Sequence, residues 1–458
     1  MPMPSPIPLV LVLSSLLLPT AAAPAESVEL PPPVTDAAGL SAMGSRLVTG
    51  ADGVTYLSWV EVAGERASLC YARLGAEGWS DRRRIAEGAG WMINWADYPT
   101  LAVAADGSMA ATWLERASDE GWSYVARVAV SADGAAWTPG VSLHDHLGGP
   151  EYGFVSLVPL DVPATGDAGD GLGAEKAPGF GALWLDSRAM AGSHDATDGH
   201  GGGDMALLYR TVGVGATAPV LGPELTLDAR TCECCATSAA ALPGGGLEVA
   251  YRDRDGDEVR DIGVLRLGGP AGIRSLPPAP DRWLIPGCPV NGPSLALGTA
   301  GRGLAWFTMS AGPLVPGATE AGQPPREPAV LFATDPGGLR VRPGRGFGPS
   351  WRVDEGSPLG RVAAALDDRG QLHVAWLESS RGTGTSTATW MLRRVTGPDL
   401  RSLDELPPAR ALAAASAARS SGFPGLAWTD GEEPGLLFSY TDVGEDGSST
   451  VRVLRVEP

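Results

Sequence analysis

The stretch DGSMAATWLER, Asp106–Arg116, decides how the rest of the chain is read. An Asp-Gly turn opens it, alternating residues follow, and a tryptophan stands two positions before an acid. Alternation with period two marks a strand with one buried face, and Asp-Gly is a common turn before such a strand. The phrase returns along the chain. It reads DGVTYLSWVE around Trp59, FGALWLDSR around Trp184, GGLEVAYRDR around Tyr251 and GRGLAWFTMS around Trp306. It closes with GQLHVAWLES around Trp376 and FPGLAWTDG around Trp428. Seven copies stand roughly 50–70 residues apart, the length of a four-stranded blade with its loops.

The surroundings of each copy repeat as well. A strand of small residues precedes it, as in PTLAVAAD (99–106), PSLALGTA (293–300) and GRVAAALD (360–367). A second alternating strand follows, as in SYVARVAV (123–130), DIGVLRL (261–267) and TATWMLRR (387–394). Small residues suit an innermost strand, where neighbouring blades crowd the axis, and the aromatic then wedges between blades. The expected fold is all-β: a single propeller over 38–458 with seven four-stranded blades, or six if the first and last copies share one. A pair of unrelated β-sandwiches is the competing architecture.

Composition sets the compartment and the partners. Residues 9–18, LVLVLSSLLL, form an apolar run too short to span a bilayer but of signal-peptide length. Small residues follow it, and cleavage is expected after Ala25, because a cut after Ala23 would leave Pro24 beside the scissile bond. Residues 1–25 are thus read as a signal peptide and 26–37 as a Pro-rich linker, which predicts a secreted or periplasmic protein. A formal net charge of −19, with Lys176 the single lysine, argues against nucleic acid or an anionic membrane surface as partner. Oligomeric state leaves no mark in the sequence.

One segment carries a family likeness. VSADGAAWTPG (130–140) resembles the Asp-box (BNR) hairpin of sialidase-like propellers, and FATDPGGLRV (332–341) is a fainter copy. In the turn, Asp133 would accept backbone hydrogen bonds, Gly134 would supply its backbone angles, and Trp137 would pack between strands. The resemblance, to exported bacterial exo-alpha-sialidase-like proteins, implies the propeller fold and a glycoside hydrolase acting on acidic sugars. It further implies three arginines on a substrate carboxylate, a tyrosine–glutamate nucleophile pair and an aspartic acid. Here the pattern departs: the first repeat has no R-I-P motif, and no tyrosine matches the nucleophile, Tyr440 lying late enough but without a confirming context.

In a propeller, loops that lead into innermost strands and loops that join second to third strands open on one face. Read together they make a charged rim: Glu61, Arg66, Asp97, Glu115, Arg116, Glu151, Tyr152, Asp186, Arg188, Arg252, Asp253, Arg254, Arg260, Arg361, Glu378 and Asp430. YRDRDGDEVRD (251–261) is its densest piece, able to clamp an anion through its arginines or to neutralise itself through its own acids. For acidic-sugar cleavage the anion-binding candidates are Arg252, Arg254, Arg361 and Tyr152. The acid–base candidates are Asp97, Glu151 and Asp186, since glycoside cleavage typically needs paired carboxyl groups.

Cysteine usage is the remaining signal. The chain has five cysteines, and TCECCAT (231–237) holds three of them. That turn leads into the fourth innermost strand, and PGCPVNGPSL (286–295) brings Cys288 to the same level of the fifth. Cys232, Cys234, Cys235 and Cys288 are therefore expected together beside the channel mouth, with Cys70 alone elsewhere. In an exported protein a disulfide from Cys234 or Cys235 to Cys288 is one outcome. A thiolate site for copper(I) or zinc is the other. LHDHLGGPEYGF (143–154) adds His144, Asp145 and His146 to the rim, and AGSHDATDGHGGGD (191–204) adds His194, Asp195, Asp198, His200 and Asp204, as a lid, a calcium-type loop or, the favoured reading, a disordered surface excursion. His373 alternates within a second strand and reads as structural. Three functions stay open: an acidic-sugar hydrolase, a non-catalytic binder of glycans or proteins, and a metal-binding protein, with a carbohydrate or an anionic small molecule as the expected ligand.

Overall fold

Seven antiparallel sheets follow one another along the chain, and in six of them the strands run in order from the innermost outward, the seventh taking its outermost strand from residues 27–29. The computed structural model describes residues 22–35, 39–117, 123–147, 151–163, 176–190, 204–243, 245–268, 272–298, 301–310, 327–335, 346–380, 387–395, 406–430 and 434–457. The innermost strands are Leu40–Thr49, Thr100–Val103, Tyr152–Pro163, Ser238–Ala241, Ser294–Gly298, Pro358–Leu366 and Gly425–Thr429. Each contacts the next, and the last contacts the first, so the sheets close into a ring. The protein is a seven-bladed propeller of four-stranded blades, with the outermost strand split in two in blades 1 and 3. The apolar run 9–18 lies outside the described residues. Among those described, no helix is long and apolar enough to cross a membrane.

The ring is fastened by its amino-terminal segment. Ser27–Glu29, within the stretch read as a linker, pairs with Leu454–Val456 and supplies the outermost strand of blade 7. That blade therefore combines three strands from the end of the chain with one from its start. The seven-blade count follows, and the six-blade alternative falls away.

Packing between blades explains the recurring aromatic. Each of the seven blade interfaces has its own apolar cluster, and in each an aromatic from one second strand sits between two sheets. Trp59, Trp113, Trp184, Tyr251, Trp306 and Trp376 fill six of them. The seventh differs from the sequence expectation. Trp428 lies on the innermost strand Gly425–Thr429, and the second strand of blade 7 is Gly435–Val443. Phe438 and Tyr440 take the wedge position there. The phrase around Trp428 resembles a second strand because it too is short, apolar and followed by an acid. Asp430 consequently sits on the turn from first to second strand, away from the rim, and lines the opposite end of the channel.

The turn at 131–137 is held by its own side chains. Ser131 Oγ accepts from Gly134 N at 2.9 Å, and Asp133 Oδ1 accepts from Ala135 and Ala136 N at 2.8 and 3.0 Å. Gly134 has φ +70°, a conformation glycine adopts without strain. Tyr71 of blade 1 donates to Gly134 O at 2.7 Å, tying the turn to its neighbour.

Removing a wedge should cost far more than removing the innermost tryptophan. Trp184 is 0 % exposed, and Trp184→Ala should lower unfolding free energy by about 3–5 kcal/mol. Trp428→Ala, at a partly buried site, should cost less than half of that by urea denaturation.

Candidate functional site

The recurring Trp-x-acid spacing has a local physical cause. Residues two apart on a strand face the same way, and a buried indole N–H needs an acceptor. Trp59 Nε1 donates to Glu61 at 3.1 Å, Trp184 Nε1 to Asp186 at 3.0 Å and Trp376 Nε1 to Glu378 at 2.8 Å. The same carboxylates catch the segment arriving from the preceding blade, Glu61 holding Thr35 N at 3.2 Å and Glu378 holding Ser357 N. These rim acids therefore anchor the blades.

Asp186 illustrates the consequence for chemistry. It is fully buried, and Arg188 grips both its oxygens at 2.8 and 2.6 Å. Burial alone would raise its pKa, but the Arg188 and Trp184 hydrogen bonds hold it below the ordinary carboxylate range. It is a paired carboxylate with no proton to give.

Asp97 behaves oppositely. It is 3 % exposed and accepts one backbone N–H, from Phe154 at 2.8 Å. Burial pushes its pKa up to about 7, with the Phe154 N–H and the more distant Arg46 opposing and Glu151 reinforcing. Gly153 permits this approach, since a Cβ there would lie 2.1 Å from Asp97 Oδ2. Glu151 adjoins it, its backbone N donating to Ser187 Oγ at 2.8 Å. Tyr124 lies within the field of Asp97, Glu151 and Cys234, and burial together with those acids lifts its phenol well above the ordinary range.

The anion-binding candidates do not meet on one empty space. Arg252 is buried and donates to the carbonyls of Asn291, Arg260 and Phe307 at 2.9, 2.7 and 2.7 Å. It joins blades 4 and 5. Arg254 is engaged by Glu258 at 2.7 Å and by Glu233. Arg361 donates to Ala418 O at 2.9 Å and lies 5.2 Å over the Trp95 ring, and burial draws its pKa down to about 10. Tyr152 is inside the fold, its hydroxyl 2.6 Å from His146 Nδ1 and its ring stacked on His144 at 3.7 Å. Burial lowers the pKa of His144, which accepts from Ala126 N through Nε2 at 3.3 Å. His373 bonds Asp367 at 3.2 Å in the core. His194, Asp195, Asp198 and His200 lie outside the described residues. Asp204 sits 3.3 Å from Arg230.

The cysteines do converge. The 232–235 turn is pinned by Cys232 N donating to Arg252 O at 3.0 Å. The Sγ atoms of Cys232, Cys234 and Cys235 all lie within 4.8 Å of one another. Cys288 comes from blade 5 near enough to Cys234 for the two thiols to act on each other, but it stands outside the group of three. Gly292 makes that approach feasible, because a Cβ there would stand 2.0 Å from Ala236 O. All five cysteines are free, so the expected disulfide to Cys288 is not formed. Cys232 and Cys235 come nearest, at 2.6 Å, beyond the roughly 2.05 Å of an S–S bond. Cys70 is buried alone in blade 1.

Electrostatics divides the four sulfurs. Arg260 is nearly sealed from solvent, donates to Glu233 at 2.6 Å and touches Cys232. Burial disfavours charge on Cys232, yet hydrogen bonds from Cys234 and Cys235 and the Arg260 charge hold its thiol below the ordinary range. Hydrogen bonding to Cys234 likewise lowers Cys288. Cys234 is raised by hydrogen bonds to the other cysteines, and Cys235 mainly by burial. Phe154, Glu258, Arg282, Val290 and Arg361 are the non-glycine residues with positive φ among those described, and all border this face. Such strain gathers where surroundings over-determine the backbone.

No family model matches the chain, and no curated protein matches it. Among solved structures it is similar to the phage phi92 endosialidase, at 11 % identity and TM-score 0.47, over 94 % of this chain and 69 % of that one. It is also similar to a protein of unknown function from Dyadobacter fermentans, at 10 % and 0.44, covering 92 % and 96 %. A fucose-specific lectin from Aleuria aurantia aligns at 9 % and 0.39, covering 82 % and 95 %. At these identities none of their chemistry is carried to this chain.

Two outcomes are expected here. Asp97 holds its proton in the folded state to about pH 7 but releases it near 4 when unfolded, so the folded form binds more protons between these values. Stability should therefore fall as pH rises from 4 to 7, and Asp97→Asn should flatten that slope in denaturant titrations at several pH values. Gly292→Ala should cost about 1–3 kcal/mol and speed the reaction of Cys235 with a thiol reagent.

Proposed function

We propose that this chain is an exported propeller whose rim face binds a soft metal ion, copper(I) or zinc, on Cys232, Cys234, Cys235 and Cys288. The observation that carries this reading is the gathering of three sulfurs within 4.8 Å, with Cys288 coming near Cys234 from the next blade. Thiolates around one zinc at 2.3 Å stand roughly 3.8 Å apart, so the three sulfurs of the 232–235 turn need only small side-chain rotations, and Cys288 must be drawn in as the fourth ligand. Thiolate ligands select copper(I) or zinc over harder ions. Cys232 and Cys288 lean toward the thiolate while Cys234 and Cys235 keep their protons. Loading would then release protons and tighten as pH rises. Arg260, neutralised in part by Glu233, screens the accumulated negative charge. The signal-peptide reading of residues 1–25 supports export.

A second reading, cleavage of an acidic sugar, is favoured by Asp97 alone. A carboxyl that keeps its proton to about pH 7 beside a second acid, Glu151, is the kind of group that protonates a leaving oxygen. Its test is turnover of a fluorogenic sialoside, abolished in Asp97→Asn.

Metal analysis with a thiol count separates these readings. Protein purified from the periplasm, or reduced and loaded anaerobically, should retain about one equivalent of copper(I) or zinc. Cys234→Ser and Cys288→Ser should lose it, and Cys70→Ser should not. Two disulfides with no ion retained after anaerobic loading would overturn the metal reading and leave the cluster as a staple.

A further inference from the structure

The channel contains a cation with no carboxylate within 4.0 Å among the described residues, Asp97 acting on it only from farther away. All seven innermost strands line a cavity of about 620 Å³, and a smaller one of about 200 Å³ lies above it toward the rim. Arg46 lines both, so its side chain stands where they meet. It is the one basic residue among the described lining residues of either cavity. Elsewhere the wall is mainly small and apolar: Leu47, Leu101, Leu157, Ala239, Leu295 and Ala364 face it.

Arg46 is directed there by a built irregularity. In the first innermost strand Met43 pairs with Val60 and Arg46 with Ser58, so one residue is extra and the strand bulges. Gly44, at φ +66°, carries the bulge and lies against the Tyr98 ring. Bulges re-aim side chains, and here the side chain turned toward the axis is an arginine. Its Nε is buried without a hydrogen-bond partner, as is Ser45 Oγ next to it. The guanidinium lies 5.8 Å from the Tyr98 ring centroid. Asp97 acts on it only at longer range, and among the described residues no carboxylate pairs with it within 4.0 Å. Asp367, Asp368 and Asp430 line the far part of the lower cavity. Asp367 is occupied by the backbone N–H groups of Arg369 and Gln371 and by His373.

Other arginines show what this fold does with buried guanidinium groups. Arg252, Arg302, Arg393 and Arg210 are all buried, and each is satisfied by carbonyls or carboxylates. Arg46 differs: it is half-buried and borders the channel, and its Nε is buried without a partner. A guanidinium only partly reached by water and lacking a counter-ion is held at a cost. The innermost strands are paired on one side only, so their other edges present backbone groups to the channel.

We infer that the channel binds a small inorganic oxyanion, sulfate or phosphate, on the Arg46 guanidinium and the Ser45 hydroxyl. The planar fork of arginine matches two oxygens of such an ion, and the apolar wall strengthens the attraction. The ion would lie on the propeller axis, joining the blade 1 strand to its neighbours, apart from the cysteine cluster.

The test is thermal unfolding and calorimetric titration of the full chain with sodium sulfate and with sodium phosphate, ionic strength held constant with sodium chloride. Wild type should show a saturable rise in Tm and a matching binding heat. Arg46→Met should bind at least tenfold more weakly, and in anion-poor buffer it should melt no lower than wild type, because it lacks the unpaired charge. Arg46→Lys should fall between them. Sulfate also stabilises proteins generally by exclusion from their surface, so an equal, unsaturable rise in wild type and Arg46→Met overturns the inference. So does a wild type that gives no binding heat with either anion, which holds even where Arg46→Met fails to fold. Saturation by chloride alone would also overturn it.

Discussion

A sheet cannot pack beside another around an axis unless something bulky fills the wedge between them, and here that filler is mostly tryptophan. Burying an indole brings an N–H that must find an acceptor, and the strand supplies one two residues later. Glu61, Asp186 and Glu378 meet this need in blades 1, 3 and 6. Because each acceptor is charged, it then recruits a second donor: Arg188 for Asp186, or the arriving backbone for Glu61 and Glu378. One requirement of the core therefore dictates much of the charge pattern on the rim.

That chain of causes explains what the sequence makes legible. The period of the aromatic phrase gives the fold, because a wedge is needed once per blade whatever the loops do. The role of the rim acids is harder to read, since a carboxylate that anchors an indole and one that serves a ligand look alike as letters. The Trp-x-acid spacing was the available signal. Trp428 misleads for a related reason: its innermost strand has the same length and polarity as a second strand, and only the pairing of Gly435–Val443 tells them apart. The short strand at Ser27–Glu29 is hidden because three residues carry no period, and its partner lies at the other end of the chain.

The two sites differ in the same respect. Convergence of Cys288 on the 232–235 turn could be reasoned from blade order alone, because both segments lead into adjacent innermost strands. Arg46 could not. Its direction depends on an extra residue in one strand, and a bulge is a property of pairing. The signal nearest to it is a charged residue two positions after a glycine, in a class of strand made mostly of small side chains.

The pairing of residue 27 with residue 456 also has a consequence in time. Six blades can form as the chain emerges, since each is local in sequence, but the seventh must wait until the strand ending at Val456 has been made. Until then Trp59 lacks Val451 and Val453, which cover it in the finished ring. The newborn chain thus carries an exposed apolar flank from the completion of blade 1 until residues 451–453 are made. Contacts this remote in sequence are slow to form, so the final step of assembly is also the one most open to sticking to other chains.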